Sequence, residues 1–238
     1  PLVDSVIQRS LVATGGTVLA TKRAIKNSVA CNTAGGSHHA NYDGGAGYCV
    51  FNDVAVAAQY LLDRGLAGRI LIVDLDVHQG NGNADIFKEN KNVFTFSMHS
   101  KSNYPAKKSI SDLDVELEDN MEDTQYIKVL EFYINQLNEE NFDFVFYIAG
   151  VDIHHNDRLG KLKISDEGVR KRDEMVTKNF FSQGVPLCGV LGGGYNKDFN
   201  KLVSMSGIAA FPKSTELRKI FSLVPLDRIL VETDSPYL

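Results

Sequence analysis

The segment "DLDVHQGNG" (74–82) puts Asp74, Asp76 and His78 at alternate positions, directly after the apolar run "RILIV" (69–73). Alternate residues of an extended chain share a face. Two carboxylates and an imidazole should therefore collect where a buried strand ends. Asp152 follows the apolar run "FDFVFYIAG" (142–150) in the same way. Asp76, His78 and Asp152 make a two-carboxylate, one-imidazole set that leaves positions open for water and substrate, which suits Zn²⁺ or Fe²⁺. His38 and His39, after the Gly35-Gly36 pair, offer general acid and base groups. Tyr195, closing "LGGGY", offers a hydroxyl able to stabilise an oxyanion. Taken singly, a strand-end Asp is most often a helix cap, a His-His pair a surface feature and a glycine run a turn. Their sharing of one predicted sheet edge points instead to a metal hydrolase.

The elements that must carry these residues are legible in the hydropathy pattern. Five apolar runs, 28–32, 69–76, 92–98, 142–150 and 185–193, read as strands covered on both faces, because they are rich in apolar residues without clean alternation. Helical patterns separate most of them. "FNDVAVAAQYLLDRG" has cap candidates in Asn52 and Asp53 and a stop at Gly65. "MEDTQYIKVLEFYINQLNEE" is apolar at 126, 127, 130, 134 and 137, one helical face. "SDEGVRKRDEMVTKNFFSQG" starts at the cap Ser165 and stops at Gly184. Repeated strand–helix–strand units predict an α/β fold with a doubly wound parallel sheet, whose ligands bind beyond the carboxyl ends of strands. No internal repeat or low-complexity linker interrupts the pattern.

Composition narrows the class. The 238 residues are 43% hydrophobic and 23% charged, enough for one large α/β domain or two small ones. A net charge of −5 argues against direct nucleic-acid binding. No apolar run approaches the ~20 residues that span a bilayer, so no membrane association and no signal peptide are expected. Cys31, Cys49 and Cys188 form no CxxC pair and read as buried, reduced thiols of a cytoplasmic protein.

The segments "ACNTAGGSHHA", "GAGYCVFNDVAVAA", "RILIVDLDVHQGNG", "VFTFSMHSKSNYP", "SDLDVELED", "AGVDIHHNDRLGKL" and "GVLGGGYNKD" resemble the histone deacetylase family, nearest to its class IV and bacterial deacetylase-like branch. The resemblance covers about 5–203 with the motifs in family order. It implies the three-layer αβα arginase–deacetylase fold, and a domain at 1–203 that lacks the family's amino-terminal segment before Pro1. It implies hydrolytic removal of an acyl group, most simply acetyl, from lysine in a protein or peptide, or from an acylated polyamine or other small molecule. By the same resemblance Asp76, His78 and Asp152 are the zinc ligands, with iron as the variant. His38 and His39 are the tandem histidines, with Asp74 orienting the first and Asn81 beside the second, where many relatives carry aspartate. Tyr195 polarises the carbonyl, and Gly47, Tyr48, Tyr104, Gly193 and Gly194 belong to the substrate tunnel. A structural K⁺ is implied at Asp74, with Asp76, His78, Ser97 and Met98.

The end of the chain departs from this pattern. Residues 204–238, ending "VETDSPYL", resemble the carboxyl-terminal part of TatD-type metal-dependent nucleases, as a fused fragment would. Asp234 matches one metal ligand of that family, but its partners lie on barrel strands this chain lacks. Within the tail, "STELRKIF" reads as a helix capped by Ser214. "RILVETD" reads as a strand, either without its barrel neighbours or paired to the edge of the main sheet. Two other readings of the whole chain stand beside the deacetylase. A dinuclear ureohydrolase of the same fold is disfavoured because Gly80 stands where a bridging Asp is needed. A truncated fusion protein that binds metal or acyl ligand without catalysis is the reading from a different class.

Overall fold

The computed structural model describes residues 4–195 and the backbone of two short strands at 203–205 and 229–231. The first unit runs α1 (Asp4–Asn27), β1 (Val29–Asn32), α2 (Asp53–Asp63), β2 (Ile70–Asp74), α3 (Asn81–Phe87), β3 (Val93–Ser100), β4 (Leu113–Leu117), α4 (Asp123–Leu137), β5 (Phe144–Ile148), α5 (Asp166–Ser182) and β6 (Leu187–Val190). Its six strands form one sheet in the order β1-β6-β5-β2-β3-β4, and every pairing is parallel. This is the expected doubly wound α/β sheet. From β2 the chain winds outward through β3 and β4, then returns to place β5 on the other side of β2. That reversal opens a crevice between the carboxyl ends of β2 and β5.

Both faces of the sheet are buried. On β2, Leu71 and Val73 point into one cluster, closed by Tyr126, Leu130, Ile134 and Leu137 of α4 and by Val176 and Phe180 of α5. Ile70 and Ile72 point to the other face, against Ala20 and Ala24 of α1 and Val54, Ala57, Ala58 and Leu61 of α2. Each fully buried Leu, Ile or Phe contributes about 1.5–3 kcal/mol, and the central strands have them in both directions. The clean alternation of a half-exposed strand is therefore absent.

The caps fall where the sequence places them. The Asn52 side chain accepts the Ala55 amide at the start of α2, and the Ser165 side chain accepts the Gly168 amide at the start of α5. Three elements escaped the pattern. Helix α1 buries only small side chains, Thr17, Ala20, Thr21 and Ala24, and leaves Leu11, Val12 and Leu19 exposed, so its apolar signal is blurred. Strand β4 alternates Asp and Glu with apolar residues at the sheet edge, and α3 is seven residues long.

The cysteine expectation needs correction. Cys188 is buried, but Cys31 is exposed, because β1 is an edge strand and has a neighbour on one side only. The chain divides into two compact units, 1–195 and 196–238. In the second, β7 (Val203–Met205) and β8 (Ile229–Val231) pair in parallel as a two-stranded sheet. The strand expected in "RILVETD" is thus paired, with β7. The helix expected at 214–221 and Asp234 lie outside the described residues.

Candidate metal centre

The alternation of Asp74, Asp76 and His78 is not that of a continuing strand. Strand β2 stops at Asp74, and side chains take over the backbone amides beyond it. The Asp76 amide donates to Asp74 Oδ1 (3.2 Å), the Val77 amide to Asp152 Oδ1 (2.9 Å) and the His78 amide to Asp76 Oδ1 (2.9 Å). Carboxylates that accept nearby backbone N–H groups compete with the sheet ladder and curl the chain. The segment after β2 therefore coils around the crevice instead of running past it.

Asp76, His78 and Asp152 are all buried, and a ligand atom from each lies within 4.8 Å of the others. His78 Nδ1 is 3.0 Å from Asp76 Oδ1 and 3.0 Å from Asp152 Oδ2. Donors held at 2.0–2.2 Å around one small ion stand about 3.3 Å apart, so the set fits a divalent cation. Glycines clear the space. A Cβ on Gly150 would collide with the Asp76 carboxylate and one on Gly193 with that of Asp152, while the Gly193 amide donates to Asp76 Oδ2 at 2.6 Å.

The tandem histidines enter from the loop after β1. Asp53, at the first turn of α2, accepts the amides of Gly36 and Ser37 and the Thr17 hydroxyl, which pins the loop that presents them. His38 Nδ1 faces Asp74 Oδ2 at 2.6 Å, and His39 Nδ1 faces Asn81 Oδ1 at 2.7 Å. The two rings diverge electrostatically. Burial alone would lower His38, but Asp74 and Asp76 outweigh it and raise it to about 9. Burial, reinforced by the charge of His38, pushes His39 down to about 3. Burial also opposes the charge on His78, yet its bonds to Asp152 and Asp76 raise it to about 10. Burial beside Asp76 raises Asp152 to about 7.

A cavity of about 450 Å³ opens over this group, lined by His39, Gly47, Tyr48, His78, Asn103, Tyr104, Leu159 and Tyr195. Tyr104 meets the His39 ring edge-on at 4.8 Å, and Tyr195 meets His78 at 6.3 Å. Gly47 has φ 51°, and a Cβ there would strike the His39 ring, so the wall approaches the imidazole only because this residue is glycine. Burial, with Asp76 and Asp152 nearby, raises the Tyr195 hydroxyl to about 12 and keeps it a donor. Gly47, Tyr48 and Tyr104 of the expected tunnel line this cavity. Gly193 lies against the Asp76 and Asp152 carboxylates, and Gly194 against Val151. The residues expected around K⁺ are adjacent: Asp74 pairs with Ser97 across β2 and β3, followed by Met98.

Local pattern did not reveal Asn103 or Leu159, and it marked Asp53 only as a cap candidate, not as the anchor of the histidine loop. Asn103 donates to the Leu159 carbonyl and accepts the Lys161 amide, tying the two cavity loops together. These roles exist only across long sequence separations, so local pattern could not reveal them.

The sequence pattern of the histone deacetylase domain matches residues 1–208. The chain belongs to the histone deacetylase family. An uncharacterised protein of Picosynechococcus sp. is 47% identical over 204 residues, covering 85% of this chain and 68% of its own length. Histone deacetylase 2 of Arabidopsis thaliana is 34% identical over 81% of this chain and 51% of its own. Among solved structures, a histone deacetylase homologue from Aquifex aeolicus superposes with a TM-score of 0.69 at 30% identity, covering 79% of this chain and 53% of that one. A histone deacetylase homologue in complex with SAHA superposes with a TM-score of 0.70 at 30% identity, covering 78% and 52%. The chain thus spans about two thirds of one family relative and about half of the others. The pattern of TatD-related DNases matches residues 195–238. Among the described residues, no helix is long and apolar enough to cross a membrane.

Proposed function

We propose that the chain is a zinc-dependent deacylase that hydrolyses the amide of an acylated lysine or a related acylated amine. The observation that carries this reading is the buried convergence of Asp76, His78 and Asp152 beneath a cavity walled by His39, Tyr104 and Tyr195. Held by these three side chains, zinc supplies a Lewis acid that polarises the amide carbonyl and acidifies a water. The remaining work falls to the chain's own groups.

His39 donates its Nδ1 proton to Asn81 Oδ1, which leaves Nε2 free to take a proton from the attacking water and return it to the leaving amine. His38, bonded through Nδ1 to Asp74, is held in a fixed orientation beside it. The Tyr195 hydroxyl donates to the oxyanion, a contact stronger in the transition state than in the substrate. Tyr48 and Tyr104 flank the acyl-lysine methylenes, and Gly47 lets them close in.

The residues proposed around a structural K⁺ are Asp74, Asp76, His78, Ser97 and Met98, at the ends of β2 and β3. The thiols at Cys31, Cys49 and Cys188 suit a cytoplasmic setting. We infer further that 1–203 is the catalytic domain and 204–238 a TatD-like appendage. The two family patterns overlap only over 195–208, in support of a join there.

The test combines elemental analysis with a deacylation assay on acyl-lysine peptides and acetylpolyamines. About one equivalent of metal, lost together with activity in D76A, is the expected result. Metal content unchanged in D76A overturns the ligand assignment, and a metal-loaded chain inert on every substrate favours the non-catalytic reading.

A further inference from the structure

Arg172, on α5, is fully buried, its exposure 0%. Burying a guanidinium costs several kcal/mol unless its donors are satisfied, so where they point is informative. One terminal nitrogen donates to the carbonyls of Gly150 (2.5 Å) and Leu75 (3.3 Å), and the other to Ala149 (3.3 Å). Leu75 lies between Asp74 and Asp76 on the segment after β2. Ala149 and Gly150 lead from β5 into Asp152. One planar fork thus grips both strand exits that deliver the two carboxylates. Its Nε turns to Asp173, which also accepts the Tyr147 hydroxyl at 2.6 Å.

We propose that Arg172 is a positioning residue of the metal centre, fixing the spacing between Asp76 and Asp152 by cross-linking the backbone that carries each. The strand ladder ends at Asp74 and Ile148. Past it the exits share the Leu75 amide bond to the Ile148 carbonyl (3.1 Å) and the Val77 amide bond to Asp152 (2.9 Å), and Arg172 adds a grip on the carbonyls of both. The rigid fork of arginine suits three carbonyls on two segments, whereas a lysine ammonium reaches them from a single point. This inference rests on the metal assignment proposed above.

The experiment measures zinc affinity of the full chain by chelator competition, with thermal midpoints recorded alongside. R172M should raise the zinc Kd about 10–100-fold, the usual effect of removing a group that orients metal ligands. R172K should fall in between. Y147F removes only the hydroxyl that Asp173 accepts and none of the carbonyl bonds of Arg172, so it should lower the midpoint and keep the zinc Kd within twofold. A zinc Kd within twofold of wild type in R172M overturns the proposal. So does a loss of affinity in Y147F that tracks its loss of stability as in R172M, since Arg172 would then only hold the fold. If R172M does not fold, R172K decides: a Kd raised at least about fivefold supports the role, and an unchanged Kd overturns it. A wild-type chain that takes up no zinc removes the metal reading itself, whereas zinc bound equally by wild type and R172M removes only the role of Arg172.

Discussion

His39 faces the amide of Asn81 at 2.7 Å, whereas its neighbour His38 faces the carboxylate of Asp74 at 2.6 Å. The neutral partner fixes the His39 tautomer without stabilising its cation. N81D should therefore raise the His39 pKa by about one unit or more. His39 must be neutral to accept a proton, so the acidic limb of the kcat/KM profile should move to higher pH. A limb unmoved in N81D would remove His39 as the base.

Tyr195 stands over His78 in the cavity wall. Y195F removes one oxyanion donor and should cost ~10²–10³ in kcat with metal content unchanged. Activity within twofold of wild type would exclude a catalytic hydroxyl at this position.

His99 is fully buried on β3, with Nδ1 bonded to the Ser97 hydroxyl at 3.0 Å and Nε2 without a partner. Burial depresses its pKa from 6.5 to about 4. Between these values the unfolded chain binds a proton that the folded chain refuses, so stability is complete above pH 6.5 and falls as pH drops towards 4. The linkage is worth up to about 3 kcal/mol. Denaturant titrations from pH 7 to 4 should show a shallower decline in H99Q than in wild type, and parallel curves would refute this source.

Limited proteolysis of the full chain tests the proposed join near residue 204. Early cleavage there, leaving a fragment that keeps its metal and activity, is the expected outcome. Loss of activity in step with cleavage would show that the appendage serves the catalytic domain.

Much of the sheet is legible in the sequence alone. The buried strands are saturated with apolar residues, and Asn52 and Ser165 cap through bonds within three residues of their own positions. Helix α1 was not legible, because it packs through small residues and its pattern has no broad apolar stripe. Strand β4 was missed because an edge strand needs only one apolar face.

The candidate site divides in the same way. The local sequence determined which donors exist: Asp74, Asp76 and His78 follow one strand, Asp152 another, and the histidine pair a glycine turn. Tertiary structure alone decided their geometry. The coil after β2 depends on the Asp152 carboxylate, 75 residues away, accepting the Val77 amide. The histidine loop depends on Asp53, and Arg172 bonds the carbonyls of both strand exits. Each of these is a bond from a buried charged group to distant backbone, formed because burial leaves such a group and those amides and carbonyls no water to turn to. Spacing along the chain carries no record of that requirement, so only the folded chain shows which partner meets it.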